Sequence, residues 1–260
     1  MYYSLCTGGG GNIFAVFDLI ITPFNWVWWG VLLLVFLMAA ILWRLRRGKR
    51  NWKFPSFLGI LVTIYLAVYK TLLAFCSDFD FHVWNELPLQ PCNLIAILTI
   101  FSAGMGESCI GRSVKGLCFY GGIVFGTIAM VMPIDGFSNI PLFSVKALGY
   151  FGFHALVVVL AVSFASMGIY RPRIKDIPGI LFLLVLMGGL AHGVNHLLRM
   201  TVYPDANYFF TYGLEGNVVM DALTGMIPIE FLWMMPLVLL MAALCVCITG
   251  IVGALNNLMQ

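Results

Sequence analysis

The apolar positions of this chain do not alternate, and they do not form one stripe per helix. They run almost unbroken through seven stretches: 20–43, 57–75, 87–104, 117–132, 147–169, 178–198 and 228–251. Crossing about 30 Å of hydrocarbon takes roughly 20 helical residues. A lone strand cannot satisfy its backbone groups in lipid, so each stretch is predicted to be a helix. The pattern predicts an all-α bundle of seven transmembrane helices, with the fourth the shortest. It forms a single transmembrane domain over residues 1–260.

Composition sharpens this. Of 260 residues, 62% are hydrophobic and 10% charged, against about 45–50% and 25% in soluble domains. A soluble sphere could neither bury that much apolar surface nor cover itself with so few charges. Soluble enzymes, nucleic-acid binders and disordered chains are thereby excluded. A net charge of +3 gives no reason to expect a nucleic-acid partner.

The placement of charge says more. Six basic residues (Arg44, Arg46, Arg47, Lys49, Arg50 and Lys53) follow the first stretch. Arg112 and Lys115 follow the third, and Arg171, Arg173 and Lys175 the fifth. Lys and Arg mark cytoplasmic loops, so the N-terminus is expected outside, the C-terminus inside, and the protein in the plasma membrane. Asp78, Asp80, Glu86, Asp135, Asp205, Glu215 and Asp221 then lie outside. No positive charge precedes the first stretch, and a basic block follows it. This is expected of a retained helix rather than a cleaved signal.

Seven scattered cysteines show no CxxC pair and are expected to be free packing groups. Ionisable and amide side chains inside the membrane are costly and mark candidate sites. They fall in the outer half: Gln90, Cys92, Asn93, His154, His192, Asn195 and His196, with Asn207, Tyr208 and Asp221 from the outer segment. Depth alone predicts one polar chamber opening outwards. Three readings fit it. His, Asn and Gln can simply join helices by hydrogen bonds. His192 and His196, four apart on one helix face, could chelate zinc. Cys92 with His154 could form an acyl-accepting thiol and its base. Lys70, Lys146, Arg199 and Glu230 read as interfacial charges, with Lys146 and Arg199 able to hold a phosphate.

The segment Leu-Pro-Leu-Gln-Pro-Cys-Asn (Leu87 to Asn93) resembles the Leu-Pro-Leu-His-x-Cys signature of YwaF-type integral membrane proteins. Their animal relatives include transmembrane protein 164, an ether-phospholipid acyltransferase. Further matches follow in order: Pro133 with Asp135, Pro141-x-Phe143, Phe153-His154, Arg171-Pro172, Asn195, Asn207-Tyr208, and Asp221 with Gly225 and Pro228. The resemblance covers about 57–250. Departures are Gln90 for the family His, Ser144 for an Arg, and Ile227, Ile229 and Glu230 where aromatic residues are usual. The resemblance implies acyl transfer from a glycerophospholipid donor to a lysolipid acceptor, with no cofactor and no metal. Cys92 would carry the acyl group and His154 would be its base. Gln90, Asn93, His192, Asn195, His196, Asn207, Tyr208 and Asp221 would bind substrate or the oxyanion. The same pair acting on water would make a lipid hydrolase. A transporter or lipid-binding protein is the non-enzymatic alternative.

Overall fold

The computed structural model describes residues 19–76, 79–134, 136–213 and 218–258. Among them the chain is all-α, with eight helices. These are α1 Trp26–Arg46, α2 Lys53–Leu73, α3 Pro91–Ser102, α4 Cys109–Val131, α5 Val145–Ser166, α6 Ile177–Thr201, α7 Val218–Met226 and α8 Met235–Leu258. Two-residue strands β1 (Ile20–Ile21) and β2 (Ile140–Pro141) pair antiparallel, Ile20 opposite Pro141. All helices but α3 and α7 are long and apolar enough to cross a membrane, six in total. This is a multi-pass membrane protein.

Two expected boundaries are corrected. The stretch expected at 87–104 holds only α3, which has 12 residues and is about 18 Å long at 1.5 Å per residue. Pro88 and Pro91 are the cause. A residue before proline is pushed out of the helical region, and Gln90 is extended at φ −68°, ψ 151°. Pro91 then opens the helix, where its missing N–H costs nothing.

The stretch expected to be shortest, 117–132, belongs to a 23-residue helix that starts at Cys109. Ser108 caps it by accepting the Gly111 N–H at 3.2 Å. Arg112 and Lys115, expected in a loop, lie in its first two turns and are buried. Arg112 donates to both carboxylate oxygens of Asp176, to Glu107 at 2.6 Å and to the Arg171 carbonyl at 3.1 Å. Lys115 donates to Glu107 at 2.5 Å. Two carboxylates replace the water these cations would otherwise need.

Helix α5 is the centre, packed on α1, α2 and α4. Its N-cap Ser144 accepts the Ala147 N–H at 3.1 Å. Glycines let α2 approach it. A Cβ on Gly149 would stand 1.8 Å from the Tyr69 ring, and one on Gly152 would stand 2.5 Å from the Tyr65 hydroxyl. Small residues at such contacts are how helices pack when lipid supplies no hydrophobic drive. Polar tips of the aromatic side chains find carbonyls: Trp28 Nε1 to Met130 at 2.9 Å, Tyr65 to Leu148 at 2.7 Å, and Tyr150 to Ala129 at 3.0 Å.

The bundle has two unlike ends. One gathers Arg47, Gly48, Ser166, Arg171 and Asn256: the Gly48 N–H donates to the Ser166 carbonyl at 3.2 Å, and Arg47 to the Asn256 carbonyl at 3.3 Å. We call it the basic end. The other carries β1–β2, the segment before α3 and the segment 202–213. Helix α3 links them, since Gln90 bonds Phe209 at one end and Gly104 lies against Trp52 at the other. Leu33, Leu34, Phe36, Leu239 and Leu240 point outward.

The cysteines are not all free, as had been expected. Cys76, just after α2, is disulfide-bonded, whereas Cys92, Cys109, Cys118, Cys245 and Cys247 are free thiols. Cys6, Asp78, Asp135 and Glu215 lie outside the described residues.

Candidate functional site

Cys92 occupies the first turn of α3 and is 7% exposed. It shares a buried cluster with Tyr69, Ile95, Tyr150 and Phe153. The first N–H groups of a helix lack intrahelical partners. Here the Gln90 carbonyl accepts from Asn93 and Leu94, at 3.0 and 3.1 Å. The Cys92 N–H makes no backbone hydrogen bond among the described residues. The thiol therefore stands at the positive end of a helix, which favours developing negative charge. Beside it, Asn93 is 5% exposed, and its amide makes no hydrogen bond among the described residues.

His154 lies in the third turn of α5. Its Nδ1 is 2.7 Å from the Tyr150 carbonyl. A carbonyl can only accept, so Nδ1 carries the proton and the Nε2 lone pair is left as a base. The Tyr150 ring packs 4.5 Å from the imidazole, and that of Phe153 5.3 Å. Cys92 and His154 make no hydrogen bond to each other; Tyr150 packs against His154 and belongs to the same buried cluster as Cys92. Lys70 pairs with Glu86 at 2.5 Å, both largely buried.

The remaining candidates form a second group around residues 207–213. Asn195 is fully buried and uses its whole amide. Its Oδ1 accepts the Tyr208 N–H at 2.7 Å, and its Nδ2 donates to the Tyr208 carbonyl at 2.8 Å and to Thr211 at 2.9 Å. The Thr211 hydroxyl, which accepts from Asn195, also lies 3.1 Å from His192 Nδ1. His192 stacks on Tyr212 and Phe231. His196 is exposed, 3.5 Å from the Tyr212 hydroxyl. Asn207 accepts from Tyr212 at 3.1 Å and donates to Gly213 at 2.5 Å. The Tyr208 hydroxyl donates to the Trp84 carbonyl; burial pushes this phenol up to about 12, so it remains a donor. Arg199 donates to Ala206 at 3.1 Å, over the Tyr212 ring.

Gln90 bridges the two groups. Its Oε1 accepts the Phe209 N–H at 3.1 Å. The residue that departs from the family His thus pins the 207–213 segment over the start of α3. Asp221 is exposed on α7 and joins neither group, and Glu230 is exposed. Lys146 is buried near the Phe79 ring. No three His, Cys, Asp or Glu side chains converge among the described residues. Sequence reading passed over Tyr150 and Thr211. Tyr150 had a signal, standing four residues before His154 on one helix face. Thr211 had none.

A family model described as the TMEM164 family matches residues 20–251. This chain belongs to the TMEM164 family. The match begins at β1, so it takes in α1, which the motif resemblance did not reach. Both Cys92 and His154 lie inside the matched region, as does every member of the 207–213 network. No curated protein and no solved structure matches the chain.

Proposed function

We propose that this TMEM164-family protein transfers an acyl group between glycerophospholipids, with Cys92 as acyl carrier and His154 as base. One observation carries the reading. A free, buried thiol sits at the N-terminus of α3, and Tyr150, in the same buried cluster, fixes the His154 tautomer that leaves Nε2 basic. Family membership supports it.

The chemistry balances without a cofactor. The Cys92 thiol gives its proton to His154 Nε2 as sulfur attacks the ester carbonyl of the donor lipid. The oxyanion meets the Cys92 N–H and the Asn93 amide, donors of the kind worth about 3 kcal/mol. Collapse breaks the carbon–oxygen bond; the lysolipid alkoxide takes the proton from His154, leaving a thioester on Cys92. An acceptor hydroxyl then loses its proton to Nε2 and attacks the thioester, and the thiolate is reprotonated. The mechanism requires Cys92 Sγ and His154 Nε2 to meet when substrate enters.

We read the short α3 as a seventh crossing with the N-terminus outside; on that reading this chemistry lies at the headgroup level of the outer leaflet. The protein's partners are then its lipid donor and lysolipid acceptor.

The test is intact-protein mass after incubation with phospholipid. Wild type is expected to gain one fatty-acyl increment that is lost in Cys92→Ser. Transfer to added lysolipid is expected to fall in both Cys92→Ser and His154→Ala. Full transfer by either variant overturns the mechanism. A thioester discharged only to water makes the protein a hydrolase.

A further inference from the structure

Cys92 is 7% exposed, too enclosed for its thiol to meet an ester carbonyl unless part of its cover moves. Helices α2 and α5 are locked together at Gly149 and Gly152, against the Tyr69 and Tyr65 side chains. The remaining cover is the segment 79–90, which precedes α3 and contains no helix. Phe79 and Phe81 pack against the buried cluster that holds Cys92. On the α2 side, Glu86 pairs with Lys70 at 2.5 Å. On the α6 side the segment meets residues 203–209. Tyr203 stacks on His82 with ring centroids 4.0 Å apart, the Tyr208 hydroxyl donates to the Trp84 carbonyl, and the Phe209 N–H donates to Gln90 at 3.1 Å. Leu87 and Leu89 pack against the cluster that holds Tyr208 and Phe209.

This closed arrangement carries costs on both sides of the boundary. His82 Nδ1 is buried and has no hydrogen-bond partner, which is unfavourable for a polar atom shut away from water. Phe209 and Phe210 both lie in the left-handed region, at φ +57° and +55°, where bulky residues are outliers. Such strain persists only where the surroundings over-determine it, and it gathers at clamps and switches. Here α6 supplies the restraint. Asn195 holds Tyr208 through both its N–H and its carbonyl, and a Cβ on Gly188 would stand 3.6 Å from the Phe209 side chain. Residues 208 and 209 therefore belong to the α6 side, and segment 79–90 is the part free to leave them.

We infer that residues 79–90 form a lid over Cys92, latched to the α6 side by Tyr208 and Gln90, and that the lid lifts to admit the acyl lipid. The identity of what enters rests on the acyl-transfer reading; the movement itself does not. Each latch is one hydrogen bond of small net worth, so the open form is reached by a local opening and not by unfolding. Breaking a buried ion pair is costlier. The lid therefore parts along the latched edge, with Lys70–Glu86 as its hinge, and lifting gives His82 Nδ1 access to water.

The full chain in nanodiscs is treated with N-ethylmaleimide, and the labelling of each thiol is followed in time by peptide mass spectrometry. In the wild type, exposed Cys109 is expected to react at once and Cys92 slowly. Cys118, fully buried beside Ser102 at the other end of α3, is expected to react slowest. Tyr208→Phe removes only the latching hydroxyl, and Gln90→Ala removes the acceptor of the Phe209 N–H. Each is expected to speed the labelling of Cys92 about fivefold, the worth of one hydrogen bond, with Cys118 unchanged. Labelling needs no lipid turnover, so the two readings fail separately. Faster labelling of Cys92 without any acyl-enzyme keeps the lid and removes the acyl transfer. Unchanged labelling of Cys92 in both variants overturns the lid, whatever acyl transfer does. So does a rate at Cys118 that rises in step with Cys92 in Tyr208→Phe, since the whole bundle would then have loosened.

Discussion

At the residue scale, the polar side chains in the membrane have divided roles. Cys92 and Asn93 keep their functional groups uncommitted, while Asn195 spends every donor and acceptor on residues 208 and 211. Asn195→Ala would leave the buried Tyr208 N–H and carbonyl without partners, a loss of about 1–3 kcal/mol. The expected result is a lower unfolding midpoint in detergent with the acyl-enzyme mass increment still formed at permissive temperature. Loss of the increment in a folded Asn195→Ala protein would move Asn195 into the chemistry. The residue-level reading of the sequence found these side chains because amides and imidazoles are rare in lipid. It could not sort them, because depth along a helix does not say which neighbour a side chain meets.

Among the elements, the α2–α5 contact governs where His154 stands. Gly149 lies against the Tyr69 ring with no room for a methyl group. Gly149→Ala is expected to cost about 1–3 kcal/mol through overpacking and to reduce acyl transfer by shifting α5. Gly30, with nothing within 4 Å of its missing side chain, is the contrast. Gly30→Ala is expected to leave activity unchanged and to add roughly 0.5–1 kcal/mol. Comparing the two melting curves checks the pair. The helices themselves were readable from apolar runs, apart from two. In α3, two prolines removed the first turn that hydropathy alone included. In α4, two buried cations hid a helical start, because their neutralising partners Glu107 and Asp176 sit on other segments.

Across the whole molecule, the basic end is held by that charge cluster. Hydrogen bonding from Lys115, then from Arg112, holds the Glu107 carboxyl below its usual range. A depressed carboxyl stabilises the fold above its unfolded value, about 4.3, and that stability is lost as pH falls through it towards the folded value. Glu107 is half exposed, so screening limits the effect to about 1 kcal/mol. Wild type is expected to lose stability between about pH 5 and pH 3. Glu107→Gln is expected to be less stable at pH 7 and flatter over that window, as read by melting midpoints across pH. Orientation is tested at Cys109, an exposed free thiol at the basic end. A membrane-impermeant maleimide is expected to label it only after cells are permeabilised. Labelling on intact cells would turn the protein over.

Hydropathy by itself determined that the chain is an all-α membrane protein, because only helices satisfy a backbone in lipid and their length is set by the bilayer. An ordered set of short motifs also carried the family. Two things needed the tertiary structure. It divided one expected chamber into a Cys92–Tyr150–His154 group and a loop-holding network joined by Gln90. It also turned two expected loop charges into a buried ion cluster. Both depend on partners far apart in the chain: Cys92 shares a buried cluster with Tyr150, Gln90 bonds Phe209 and Arg112 bonds Asp176, and only the packing of α3, α4, α5 and α6 brings them together.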